Sequence, residues 1–178
     1  MLQSVDEKAN CYYDIVEKMA ECIGYHSIRS VLFLSKHTEK ALEVFSRGGN
    51  CCQAVVLAFG EKYGLEEKQA VRIAAGLGGG VKSGEICGTV SGAAIVIGLK
   101  YGEQSASDPE VKRLCTEKTQ EFVQRFKAQH GTLVCRELLK KGIETEGGPQ
   151  MVEHIGGHAP ICYRLIKDAV MLLEDLKY

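Results

Sequence analysis

Cysteines are the residues of this chain best suited to chemistry, and there are eight of them. Four fall in separate segments, each at the predicted first turn of a helix: Cys51, Cys87, Cys135 and Cys162. A first turn exposes unpaired backbone N–H groups and the positive end of the helix dipole. Both favour a thiolate, which is the form of cysteine that attacks electrophiles and binds metals. We therefore expect these four cysteines to form one shared site.

The residues around Cys51 are typical of a helix start. Asn50 precedes it and Gln53 lies three residues after Asn50, which is a capping-box pattern. The adjacent Cys52 lies on the stripe of apolar residues that should face the core. Cys51 is therefore the better candidate of the pair, and Cys52 is an alternative ligand.

The other three positions have similar signals. Cys87 directly precedes a predicted helix, at the end of a Gly-rich segment. Cys135 follows Thr132 by three residues, and Cys162 follows Pro160 by two. Proline is common at the first helical position, so Cys162 should also lie in a first turn.

The remaining cysteines are predicted to be small buried hydrophobes, because they lie away from first turns. They are Cys11, Cys22 and Cys115. For Cys115 the neighbouring apolar stripe consists of Val111, Leu114 and Phe122.

Small residues line one edge of each of the helices that begin at Cys51 and Cys87, and they should let these two helices approach each other closely. They are Ala54, Ala58, Gly88, Ser91 and Gly92.

The composition is that of an ordinary globular protein, with 45% hydrophobic and 25% charged residues among 178. The formal net charge is -1, which is not the basic excess usual for nucleic-acid binding. No apolar stretch reaches about 18 residues, so no membrane span is expected. The first residues do not resemble a signal peptide, and we expect a cytoplasmic protein. In that reducing compartment a disulfide framework explains eight cysteines poorly.

Helical periodicity predicts an all-α fold, a single-domain bundle of about seven to eight helices. Residues 38–178 should form the four-cysteine domain, and 1–37 a helical N-terminal extension. The glycine-rich segment 142–159 should be a loop, in which His154 and His158 are interpreted as solvated side chains and not as ligands beside Cys162. The helices are predicted over 4–23, 38–47, 51–63, 66–77, 88–101, 109–130, 132–141 and 160–177. The short apolar run within 25–36 is compatible with a strand or a helical turn, and a helix is favoured because no partner strand is visible. In the helix over 66–77, Ala70, Ile73, Ala74 and Leu77 should lie on one face.

Three segments resemble the C_GCAxxG_C_C family, whose members are described as redox-active. They are GGNCCQAVVLAFG at 48–60, GLGGGVKSGEICGTVSG at 76–92 and CRELL at 135–139, followed by Cys162 before an apolar helix. The resemblance covers roughly residues 38–177. It implies that the family's cysteines correspond to Cys51, Cys87, Cys135 and Cys162.

The chain departs from the family pattern at two positions. Thr89 stands where the family usually has alanine, and Cys52 replaces the usual small residue after the first cysteine. Neither change removes a candidate ligand. A related module occurs in split-Soret cytochromes c, but this chain has no C-x-x-C-H motif, which excludes c-type haem.

Three chemistries are compatible with four separated cysteines. An iron–sulfur cluster requires Cys₄ ligation, and four helix dipoles would offset its negative charge. Zinc also accepts four cysteines, although its ligands usually come in close pairs such as C-x₂-C, which are absent here. A cysteine pair could instead cycle between dithiol and disulfide without metal.

Arg136, next to Cys135, is a candidate for lowering the pKa of that thiol, although an arginine on an exposed face is the default interpretation.

We interpret the chain as a small redox protein whose four cysteines bind an iron–sulfur cluster for electron transfer, with a redox protein as its partner. The alternatives are a metal-binding or interaction module with structural cysteines, and a metal-free dithiol protein. No catalytic triad or carboxylate pair stands out, so no enzymatic reaction is assigned. The apolar helix at 88–101 would also suit a homodimer.

Overall fold

The computed structural model describes residues 34–103, 105–145 and 160–178. Within these ranges the secondary structure consists of α-helices and short single turns, without a strand, which confirms the all-α prediction. Residues Lys36–Tyr178 form one compact unit. The α-helices are α1 (Lys36–Ser46), α2 (Cys51–Phe59), α3 (Glu67–Ala74), α4 (Gly88–Tyr101), α5 (Pro109–His130), α6 (Cys135–Thr145) and α7 (Pro160–Asp175).

Several predictions fall outside the described residues. They concern the helix over 4–23, residues 25–33 of the next predicted segment, residues 146–159 of the predicted loop, and four side chains. These side chains are Cys11, Cys22, His154 and His158.

The central helix of the bundle is α2. All of its residues except Gln53 are buried, and it packs against α1, α3, α4 and α7. A helix that is apolar on every side must be covered on every side, because exposed apolar area costs about 25 cal/mol per Å². This position in the middle of the bundle places Cys51 and Cys52 inside the protein.

Helix α4 is covered by the same chain. None of its residues is fully exposed, and it packs against α2, α5 and α7. The apolar surface that suggested a homodimer therefore packs against other helices of the described fold. The homodimer itself stays a prediction.

Two predicted apolar stripes differ from the observed ones. In α3, Ala70 and Ala74 are buried, but Ile73 is 54% exposed, because the helix packs on α2 through a narrow edge of small residues. In α5, Cys115 is only half-buried and Leu114 is exposed. The prediction of Cys115 as a core residue is therefore wrong. This long outer helix buries completely only Phe122 and Phe126.

The start and end of α6 also differ from the prediction. Thr132 lies before the helix, where its hydroxyl accepts a hydrogen bond from the backbone N–H of Val134 at 3.2 Å. The helix begins at Cys135 and continues to Thr145, through the predicted break at Gly142. Cys135 is thus the first helical residue.

None of the described helices is long and apolar enough to cross a membrane.

Candidate functional site: a cluster of buried cysteines

Asn50 fixes the start of α2 and with it the position of Cys51. Its side-chain oxygen accepts hydrogen bonds from the N–H groups of Cys52 and Gln53, both at 2.9 Å. The Gln53 side chain accepts one from the Asn50 N–H at 2.9 Å, which completes the predicted capping box. The Asn50 amide also donates to the carbonyls of Ala74 and Ala75, and so ties this helix start to the end of α3.

Gly88 brings the start of α4 against Cys51. A Cβ atom at Gly88 would lie 2.6 Å from the sulfur of Cys51 and 2.8 Å from the carbonyl oxygen of Leu77. One turn later, a Cβ at Gly92 would lie 3.0 Å from the Cys52 carbonyl oxygen. The predicted close approach of these two helices is confirmed, and no larger residue fits at Gly88 without displacing the Cys51 sulfur.

A short antiparallel contact places Cys87 beside Cys135. Ile86 and Val134 form an isolated β-bridge. The Cys87 N–H donates to the Leu133 carbonyl at 2.9 Å, and the Cys135 N–H donates to a carbonyl of the facing segment at 2.6 Å. Sequence reasoning missed this pairing, because a bridge with one residue on each side is too short to give a period-2 pattern.

The Gly-rich segment folds back over the cysteines. Gly79, Gly80, Val81 and Lys82 all have φ between 57° and 65°. For Val81 this conformation is unfavourable, because its branched side chain crowds the backbone. The segment comes so close to α6 that a Cβ at Gly80 would lie 3.0 Å from the Cys135 Cβ. This left-handed turn therefore forms one wall of the site.

Three sulfurs form a hydrogen-bonded row inside this enclosure. Cys51 and Cys87 are in side-chain hydrogen-bond contact, and so are Cys87 and Cys135. The Cys87 thiol also reaches Thr89 Oγ1 at 3.4 Å and can donate its one hydrogen to only one acceptor at a time. The three residues are 8%, 3% and 6% exposed, respectively. The structure therefore brings together three of the four predicted site cysteines, from the starts of α2, α4 and α6.

The hydrogen bonds give the three thiols different pKa values. Donation to Cys87, together with burial, raises the pKa of Cys51. Donation to Cys135 raises the pKa of Cys87, although the contacts from Cys51 and Thr89 act in the opposite direction. The pKa of Cys135 is lowered, because it receives the hydrogen bond of Cys87. Cys135 is thus the acidic end of the row.

Two expectations about acidity are corrected by this arrangement. Placement in a first turn does not lower the pKa of Cys51 or Cys87, since hydrogen-bond donation and burial outweigh the helix dipole there. Arg136 is also not the group that lowers the pKa of Cys135. Its guanidinium pairs with the Glu85 carboxylate at the surface, where both side chains are more than half exposed.

Thr89 is a member of the site that sequence reasoning did not identify. Its side chain is fully buried, and its Oγ1 lies 3.4 Å from the Cys87 sulfur, in hydrogen-bond contact. The sequence signal was the polar residue two positions after the cysteine, at the start of an otherwise apolar helix. A buried hydroxyl in such a place requires a partner, which here is sulfur.

The two remaining candidates, Cys162 and Cys52, lie near these three cysteines. Cys162 is half-buried in the first turn of α7, and its charge acts on Cys135 in the direction that raises the pKa of that thiol. Cys52 is completely buried in the core with Val56 and Leu57. Burial, followed by the charges of Cys51 and Cys87, raises the pKa of Cys52 to about 12.

The donor set of the site consists of thiols. In the described part of the chain, no three His, Cys, Asp or Glu side chains are arranged to hold a metal ion. The chemistry of the donors nevertheless fits thiolate ligation, since three buried thiols meet at helix starts with a fourth nearby. The raised pKa values of Cys51 and Cys87 favour the thiol form, so metal binding would have to release their protons.

Comparison with known proteins identifies the family of the chain. The family model described as "Putative redox-active protein (C_GCAxxG_C_C)" matches residues 49–176. No curated protein and no solved structure matches the chain. The matched region covers more than half of the sequence and contains all four candidate cysteines. The chain therefore belongs to the C_GCAxxG_C_C family.

Proposed function

We propose that this chain is a redox protein whose working site is the four-cysteine set Cys51, Cys87, Cys135 and Cys162. The observation that carries the proposal is the row of three buried thiols in mutual hydrogen bonding. Buried polar groups need partners, and most buried thiols find ordinary apolar packing instead. Membership in a family described as redox-active supports the same conclusion.

Electron transfer through an iron–sulfur cluster is the chemistry we propose for this set. The four cysteines would be its ligands, with Cys52 as an alternative to Cys51. When bound, such a cluster supplies one-electron transfer at a potential that depends on charge, hydrogen bonds to sulfur and solvent exposure. The chain contributes three helix starts, which favour negative charge, and a left-handed turn at 79–82 that limits access of water.

Direct dithiol chemistry is the second candidate, and the contact between Cys87 and Cys135 favours it. The Cys135 thiolate would attack one sulfur of a disulfide on a partner, giving a mixed disulfide and one partner thiol. Cys87 would then lose its proton and attack the Cys135 sulfur, which releases the second partner thiol. Two electrons pass from the chain to the partner disulfide; one partner thiol takes the proton that Cys87 loses, and the other takes from water the proton that Cys135 released on ionising.

Anaerobic reconstitution with iron and sulfide separates the two candidates. Iron and thiols would be counted in Cys87→Ser, Cys135→Ser, Cys162→Ser, Cys51→Ser and the Cys51/Cys52 double variant, with Cys115→Ser as the matched control. A Cys₄ cluster predicts that each site variant loses or destabilises iron, while the control loads like wild type. Comparison of Cys51→Ser with the Cys51/Cys52 double variant shows whether Cys52 substitutes for Cys51 as a ligand.

Different results would overturn the proposal at two levels. Wild-type protein that takes up no iron or zinc, yet forms one reversible disulfide, would replace the cluster with dithiol chemistry. Protein that binds no metal and has no thiol pair that oxidises reversibly would contradict the redox function itself.

A further inference from the structure

We propose that the Thr89 hydroxyl is a positioning group for the Cys87 sulfur and raises the reduction potential of the cysteine set. The inference rests on the proposed redox function and deepens it. It starts from one contact, the 3.4 Å separation between Thr89 Oγ1 and Cys87 Sγ, in a place where both side chains are removed from water.

The burial of Thr89 makes this contact informative. Threonine, like other polar residues, is usually found at the surface, and a buried hydroxyl without a partner is costly. The hydrogen-bond partner of this hydroxyl is the Cys87 thiol. Valine has nearly the same shape and would fill the same space without a polar group, so packing alone does not explain a hydroxyl here.

The hydrogens in the row determine which way the contact points. A thiol and a hydroxyl each have one hydrogen to donate, and both can accept. The structure has the Cys87 thiol donating to Thr89 Oγ1, so that the hydroxyl accepts. When Cys87 is ionised, or its hydrogen goes to Cys135, the hydroxyl can donate to the sulfur instead, and this contact acts to lower the pKa of Cys87. Thr89 can therefore hold the Cys87 sulfur in either arrangement by rotating one O–H bond.

Donation by Thr89 has a definite effect on the redox equilibrium. A hydrogen bond to sulfur is strongest when the sulfur carries negative charge, as a thiolate or as a metal ligand. Reduction increases the negative charge or proton count on sulfur, while a disulfide sulfur is a weaker partner. The hydroxyl therefore stabilises the reduced form relative to the oxidised form. The sign is the same for dithiol and for metal-bound chemistry, so the inference does not depend on which of them operates.

The test compares the full-length wild type with Thr89→Val, which removes the hydroxyl but keeps the shape, and with Thr89→Ser, which keeps the hydroxyl. Midpoint potentials would be measured in dithiothreitol redox buffers for metal-free protein, and by anaerobic spectroelectrochemistry after iron and sulfide loading. We expect Thr89→Val to shift the equilibrium about tenfold toward the oxidised form, which is about 30 mV for a two-electron couple or about 59 mV for a one-electron couple. Thr89→Ser should stay near wild type.

A second readout does not depend on redox activity. The infrared S–H band of Cys87, identified as the band lost in Cys87→Ser, should shift in Thr89→Val and return toward its wild-type position in Thr89→Ser. Thr38→Val is the matched control, because Thr38 is also buried but follows His37, which stacks on Phe59 at the far end of α2 from Cys51. It should change neither the band nor the potential. If Thr89→Val folds poorly, Thr89→Ala serves for the same comparison.

The outcomes distinguish this inference from the proposed function. A reversible couple in wild type that Thr89→Val leaves unchanged would overturn the inference while the redox function stands. A shift of equal size in Thr89→Ser would also overturn it, since the hydroxyl would then not be the cause. Absence of any reversible couple in wild type would contradict the proposed function and the claim about the potential together, and the S–H band would still decide whether Thr89 holds the sulfur.

Discussion

Cys51 and Cys135 have nearly the same structural position but opposite acidity. Each is the first residue of an α-helix, and their exposed fractions are 8% and 6%. The pKa of Cys51 is raised, whereas that of Cys135 is lowered. Burial acts to raise the pKa of both thiols and both stand at helix starts, so neither factor explains the opposite directions.

The difference comes from the residue between them. The contact with Cys87 raises the pKa of Cys51 and lowers that of Cys135, which are the directions expected when Cys51 donates to Cys87 and Cys87 donates to Cys135. A donated hydrogen bond stabilises the thiol, and a received one stabilises the thiolate. The direction of hydrogen bonds in the row therefore decides which sulfur is most reactive, and a helix start by itself does not make a reactive cysteine.

Removal of Cys87 should have the largest effect on this contrast. In Cys87→Ala, Cys135 loses the donor that lowers its pKa, so its alkylation by limiting iodoacetamide at neutral pH should slow by about tenfold for each unit of pKa regained. Cys51 loses its acceptor and should become more acidic, although burial still opposes ionisation. Site-resolved mass spectrometry of metal-free protein measures both rates.

Two control variants sharpen the test of Cys87. Cys87→Ser retains an O–H donor and should preserve much of the reactivity of Cys135, while Arg136→Gln removes the adjacent surface charge and should leave it nearly unchanged. Equal loss of Cys135 reactivity in Cys87→Ala and Arg136→Gln would show that a general charge effect, and not the hydrogen bond, makes this thiol acidic.

Gly88→Ala should have a smaller effect, through packing at the Cys51 end of the row. The added methyl group would lie 2.6 Å from the Cys51 sulfur, and we expect unfolding in urea to require about 1–3 kcal/mol less free energy than for wild type. Gly98→Ala is the matched control in the same helix, because a Cβ there meets no atom within 4 Å. It should be neutral or stabilising. Equal stability of the two variants would contradict the close approach of α4 to Cys51.

Much of the scaffold could be predicted from the sequence because its signals are local. Helix starts depend on residues close in the chain. The structure has the predicted capping box at Asn50 and the predicted start of α5 at Pro109, and each of the four cysteines lies at a helix start, although α6 begins at Cys135 and not at Thr132. Ile73 and Cys115 were misassigned, because a stripe of apolar residues does not reveal how wide the covering surface is.

The internal order of the site could not be predicted, because it depends on contacts between distant segments. The bridge between Ile86 and Val134 decides that Cys87 meets Cys135, and its two residues leave no periodic pattern. The contact of Thr89 with Cys87 was missed for a different reason: a threonine near a helix start is common, and only its complete burial reveals the need for a partner.

Site-resolved alkylation of metal-free wild-type protein across pH tests the central claim most directly, namely that the cysteines form one coupled set with Cys135 as its acidic end. Only the thiolate reacts, so a lowered pKa keeps the rate of Cys135 high at pH values where an ordinary thiol is protonated, and raised pKa values keep Cys51 and Cys87 slow until the solution is more alkaline. We predict that Cys135 is labelled before Cys51 and Cys87, and that its rate falls at lower pH than theirs. Labelling of all three with the same pH dependence, or of Cys51 first, would contradict the account.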